Sequence, residues 1–319
     1  MQQDIKAKYP VHCANEEKGK YKMMMSPDID SFFSCAMLNC LMDYETKFFF
    51  NYGKLYAHES VDLKSFNLDQ LLAVDLDVIY QYEKDKWIKC WGNHLTKMCP
   101  QDIENPECAN LNQIVGAMRS DGNRITYSQK KRAISTAIQI ASYYDLFRRE
   151  DGSPKTLIES QKMFLWCVDA MFVAGKSESF GHMAKQFMKE LDFECISDVL
   201  NKPRNDFYKF MDQYNITARN GRIWIDSEGY MRSTINLDQL QEEVFPRMDL
   251  SLPDGKFIEI ASFRTPRISK NDNNLDNNKM KYVRKSPNLF TSVLPYKNQI
   301  RFSILEETKN GGEHLLTVR

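Results

Sequence analysis

The sequence predicts an α/β protein with a mostly parallel sheet, flanking helices and a smaller C-terminal α+β or β-rich part. Three observations predict it. In the first hundred or so residues, short apolar runs end in turn or acidic residues and alternate with a helical stretch. From Tyr127 to Leu200 the apolar residues recur at helical spacing. Beyond Lys202-Pro203-Arg204 the pattern returns to strands. The expected division is a first domain over 1–200 and a β-rich second domain over 201–319.

The elements follow in order. KYKMMM is short, apolar and closed by Ser-Pro, so it reads as a strand. SFFSCAMLNCLMDY is apolar nearly all round and reads as a buried helix. TKFFFNYG, QLLAVDLDV and KWIKCW are three more strands. SQKKRAISTAIQIASYYDLF is helical up to Arg148 and the turn EDGSP. SPKTLIESQKMFLWCVDAMFVAG reads as one further helix, with Pro in its first turn and Gly past its end. After residue 200, NGRIWID, GYMRSTIN, GKFIEIASF, RFSILEET and HLLTVR read as strands, with KNGG as a hairpin turn between the last two. KNDNNLDNNK reads as a polar loop.

Composition narrows the classes. Lys and Arg (43) balance Asp and Glu (43), so no global field draws the chain to nucleic acid or to a membrane. The eight cysteines sit singly, without a CxxC. No run approaches the roughly 20 apolar residues of a membrane span, and MQQDIKAKYPVHC lacks a signal-peptide core. The expectation is a cytoplasmic protein with reduced thiols and no membrane partner. The sequence sets no oligomeric state.

Chemistry gathers at the strand ends. Asp28 and Asp30 follow the first strand, Asp75 and Asp77 close LLAVDLDV, and His94 follows KWIKCW. In open α/β sheets ligands bind outside the carboxyl ends of the strands. Carboxylate and imidazole there suit Mn²⁺ or Mg²⁺. Plainer roles stand beside this one. Asp28 and Asp30 suit a helix N-cap, Asp75 and Asp77 suit loop capping, and a single His is often a satisfied core residue. Cys90, His94, Cys99 and Cys108 lack the spacing of a zinc site. Met23, Met24 and Met25 read as strand core. From Lys256 to Arg301, Lys and Arg are interleaved with Phe263, Tyr282 and Phe290, which suits phosphates and stacked bases or, equally, a solvated basic face.

Pro27, Asp28, Asp30 and Ser34 in SPDIDSFFSCAM resemble the first motif of the DHH phosphoesterase superfamily. VDLDV resembles its second motif, GNH its Asp-His-His triplet, and YYDLF its fourth motif, in that order over residues 20–150. The resemblance implies a DHH-like fold. It implies metal ligation by Asp28, Asp30, Asp75, His94 and Asp145, and catalytic roles for Asp75, Asn93 and His94. Three positions depart from the family pattern: Met24 stands at its first His, Gly92 at the triplet's Asp, and Asn93 at the triplet's middle His. The C-terminal substrate-binding domain of that family implies a substrate-binding role for Arg264, joined by Arg267 from the basic stretch and by His314 in NGGEH. That segment also reads as a plain turn. The implied activity is Mn²⁺- or Mg²⁺-dependent hydrolysis of a phosphodiester in a short nucleic acid or a (cyclic) dinucleotide. The alternative is a catalytically inactive nucleotide- or nucleic-acid-binding regulatory protein on the same fold.

Overall fold

The computed structural model describes residues 1–121, 131–178, 181–269, 288–296 and 299–306. The coarse expectation holds: the molecule is α/β, with one large mixed sheet and packed helices. The first strand, β1 (Lys22–Met25), leads through Asp28 into α1 (Ile29–Met42). Next come β2 (Glu45–Phe50), β3 (Lys54–His58), β4 (Leu71–Val74), β5 (Lys89–Trp91) and β6 (Cys108–Ala109). Five of these strands run parallel in the order β2-β1-β4-β5-β6. β3 lies antiparallel on the outer side of β2.

Both sheet faces are covered, so the parallel strands are near-continuous apolar runs rather than alternating ones. All four residues of β4 are buried. On one face Met23, Met25, Phe49, Leu72, Val74 and Trp91 join the core that holds α1. On the other, Met24, Phe48, Phe50, Leu71, Ala73 and Cys90 form a second core. Alternate residues of one strand go to opposite faces, as the pleat requires. Met24, at the family's first-His position, is therefore fully buried among apolar side chains.

Two expected helices are altered. α2 (Thr136–Tyr143) starts at Ser135, whose Oγ accepts the Ile138 N–H at 3.1 Å. The helix expected through MFLWCVDAMFVAG is broken: α3 (Glu159–Cys167) stops, and Asp169 and Ala170 take φ of 51° and 50° before a short turn at Phe172–Gly175.

Beyond residue 200, β7 (Ile223–Ile225) and β8 (Met231–Ser233) form a separate hairpin. β9 (Phe257–Arg264), however, pairs antiparallel with β3 and continues the main sheet. β10 (Arg267–Ser269), β11 (Leu289–Tyr296) and β12 (Gln299–Leu305) extend it further through β12, giving ten strands among the described residues. The core under β1 and β5 also runs on through Ile216, Ile223, Met231 and Phe257, with no break at residue 200. KNDNNLDNNK, KNGG, HLLTVR and His314 lie outside the described residues.

Candidate functional site

The strand order makes β1 and β4 neighbours whose onward connections leave in opposite directions, toward β2 and toward β5. This is the topological switch point at which α/β sheets open a crevice. Register sharpens it. Met25 pairs with Val74, Val74 with Trp91, and Trp91 with Ala109. The next residues along these strands, Ser26, Asp75, Gly92 and Asn110, therefore end the sheet side by side.

Asp75 leaves its strand with φ 56°, a left-handed backbone that Asp tolerates better than most residues. Its Oδ1 accepts the Thr136 hydroxyl at 2.7 Å. Asp28 caps α1 by accepting the Ser31 N–H at 3.0 Å. Asp30, two residues on, reaches the start of α2. It accepts the backbone N–H groups of Thr136 and Ala137, each at 2.8 Å, and the Asn93 amide at 3.2 Å. A carboxylate at a helix N-terminus meets free N–H groups and the favourable end of the dipole.

Asn93 spans two acids. Its Nδ2 donates to Asp30 and also, at 3.2 Å, to Asp169, while its buried Oδ1 has no partner. Asp169 was invisible as a site residue in the sequence, because it lies inside an expected helix. The break in that helix delivers it. Its side chain is exposed to water.

The group is electrostatically unsettled. Burial, then the neighbouring Asp30, Asp28 and Asp169, push the Asp75 carboxyl well above the usual carboxylate range. Burial, then Asp169 and Asp28, do the same to Asp30, against the pull of its two backbone donors. Burial also raises Asp28 and Asp169, each partly offset by His94. None of the four forms an ion pair with a Lys or Arg among the described residues.

Asp77 and His94 form a second layer. Asp77 is buried and accepts the His94 backbone N–H at 3.0 Å and the Asn110 amide at 2.7 Å. Its Oδ2 also stands 3.4 Å from His94 Nδ1. A Cβ on Gly92 would fall 2.0 Å from Asp77 Oδ1, so the glycine makes room for that carboxylate. His94 is 28% exposed and lines, with Asp75, Asp77 and Tyr52, a cleft of about 340 Å³. Arg301 and Ser303 of β12 line the same cleft.

The remaining expected residues lie elsewhere. Asp145 is not in the cluster. It sits beyond the opposite end of α2, 2.8 Å from Lys6 Nζ and 3.7 Å from the Met1 ammonium. Helix geometry explains the separation: residues nine apart along α2 stand roughly 13 Å apart. Arg264 is exposed on β9 and does not line the cleft; its cation is supplied by Arg301. Arg267 begins β10, which β12 and β9 separate from β3 along the sheet.

Among the described residues, no three His, Cys, Asp or Glu side chains stand ready-made as a chelating group. The donor chemistry nonetheless fits a hard divalent cation. Asp28, Asp75 and Asp169 offer carboxylate oxygen, and the orphaned Asn93 Oδ1 offers a neutral one. Asp30 fits less well, because both of its oxygens already serve α2. Comparison with protein-family models, with curated proteins and with solved structures gives no match. No described helix is long and apolar enough to cross a membrane.

Proposed function

We propose that the chain is a divergent DHH-type phosphoesterase that hydrolyses a phosphodiester in a short nucleic acid or a (cyclic) dinucleotide with a divalent cation, Mn²⁺ or Mg²⁺. The observation that carries this reading is the convergence of Asp30, Asp75 and Asp169 at the switch point, tied together by Asn93 and Thr136, beside the unpartnered Asn93 Oδ1. Carboxylates gathered this closely, with no Lys or Arg paired to them among the described residues, need protons or a cation. Asp28, Asp75, Asp169 and Asn93 would hold the ion. Bound there, it would supply Lewis-acid stabilisation of charge on the phosphoryl oxygens. Asp30 acts as a positioning residue that ties α1 to α2 and so sets Asp28 and Thr136. Asp77 orients His94 through Nδ1, which leaves the far side of the ring to exchange a proton with the substrate. Arg301, across the cleft, offers a charge for a phosphate.

A second reading, nucleotide binding without turnover, is favoured by one observation. Met24 lies in the apolar core, and Asp30 is committed to α2. Incubation with Mn²⁺ and a panel of short oligonucleotides, dinucleotides and cyclic dinucleotides separates the two. Turnover that falls by several orders of magnitude in Asp75→Asn and in His94→Ala supports hydrolysis. Saturable binding without turnover across the panel supports the second reading.

A further inference from the structure

We propose that a groove remote from the strand ends binds a long-chain carboxylate. The groove lies between α1 and α3. Its walls are Phe33, Met37 and Leu41 of α1, Leu165 of α3, and Phe147 and Phe245 from the flanking loops. Its volume is about 560 Å³, within the ≈300–1,000 Å³ of small-molecule sites. Phe33 and Phe245 belong to an aromatic trio with Phe164, with centroids 4.6–5.0 Å apart, so this wall is a packed part of the core.

Charge selects the occupant. The lining carries two cations, Lys155 and Arg247, and no acid. Both cations are exposed, and neither makes an ion pair among the described residues. Of the acids nearest in sequence, Glu159 is 3.0 Å from Lys202, Asp151 accepts from Ser153, and Asp249 accepts from Ser251. The lining's polar groups are also spent locally. Thr156 accepts from Arg149, and Gln161 both accepts the Ile158 N–H and donates to the Val244 carbonyl. What remains for a ligand is apolar wall and positive rim. Ile158, 54% exposed, extends the apolar surface at that rim. An apolar tail with an anionic head satisfies both features. A neutral apolar molecule would leave the cations unused, and a polar anion would leave the walls wet.

The test is calorimetric titration of the full chain with octanoate, decanoate and dodecanoate, and with dodecanol. Affinity should rise about fourfold per added methylene. Dodecanol should bind about tenfold or more weakly than dodecanoate, for want of a charged acceptor. Lys155→Glu with Arg247→Glu, both on the surface, should abolish the preference for the carboxylate. Leu41→Trp should block the groove. No saturable binding, affinity independent of chain length, or equal binding of the alcohol overturns the proposal. So does a wild-type dimer that Leu41→Trp dissociates while dodecanoate leaves it intact, because the groove would then be a contact between copies.

Discussion

The helix α2 has an acidic group at each end, and the two groups are built on opposite principles. At its C-terminal end Asp145 is 48% exposed and faces the Met1 ammonium and Lys6, while nearby Asp192 faces Arg148 and the same ammonium. Charge there is balanced and wet. At the N-terminal end Asp30 and Asp75 are buried, Asp28 is half-buried, and Asp169 is exposed. No cationic side chain pairs with these four among the described residues. Their neutral donors (three backbone N–H groups, two hydroxyls and an amide) lower the cost of the charge without cancelling it. Acid content alone therefore does not distinguish a ligand site from a surface cluster. Burial, and the lack of a paired Lys or Arg among the described residues, set the N-terminal cluster apart.

The comparison can be broken most severely at Asp30. Asp30→Ala strands the Thr136 and Ala137 N–H groups and removes one of the two bonds of the Asn93 amide, and should cost about 3–5 kcal/mol in urea unfolding. A cost below about 1 kcal/mol would mean that Asp30 does not hold the two helices together. Gly92→Ala should come next. Its Cβ would stand 2.0 Å from Asp77, and the displaced carboxylate should destabilise the fold by about 2 kcal/mol and disturb His94. An unchanged His94 NMR signal in that variant would show that Asp77 does not set the ring.

Acidity separates the two ends more gently. The carboxyls at the N-terminal end are raised, so as pH climbs past the ordinary carboxylate range the unfolded chain ionises first. The stability they give while protonated is present at low pH and is lost as pH rises through their folded values. Metal-free protein should therefore gain stability from this cluster as the pH is lowered from 7 toward 5. Asp75→Asn should be about 1 kcal/mol more stable than wild type at pH 7 and should flatten that dependence. A steeper dependence in Asp75→Asn would reverse the assignment. The smallest effect belongs to Asp145→Asn, which removes exposed ion pairs and should cost under about 1 kcal/mol, without altering the pH dependence.

The strand ends were legible because apolar runs closed by Asp-x-Asp or Gly-Asn-His are local features, and register then brings Asp75 beside Gly92. Asp28 proved to be both an N-cap and a member of the cluster, so the plain reading and the chemical one were compatible. Asp145 misled because it too closes an apolar helix, and sequence alone does not say which end of α2 faces the crevice. Asp169 was hidden by periodicity: MFLWCVDAMFVAG keeps its apolar spacing through a backbone that turns left-handed. A signal was present, since an acid within an apolar stripe has no comfortable place in a buried helix. The joining of β9 to β3 depends on pairing between residues about 200 positions apart, which no local pattern encodes. That pairing is why the expected separate C-terminal sheet instead became one wall of the cleft, with Arg301 on it.

The central claim is that the unbalanced end of α2 is a cation site and the balanced end is not. Isothermal titration of metal-free protein with MnCl₂ at pH 7 tests it most directly. The account predicts saturable binding that weakens as the pH is lowered, because protons compete with Mn²⁺ for carboxyls whose folded values are raised. Binding should be lost in Asp75→Asn and unchanged in Asp145→Asn. Equal binding in wild type and Asp75→Asn, or loss in Asp145→Asn alone, would contradict it.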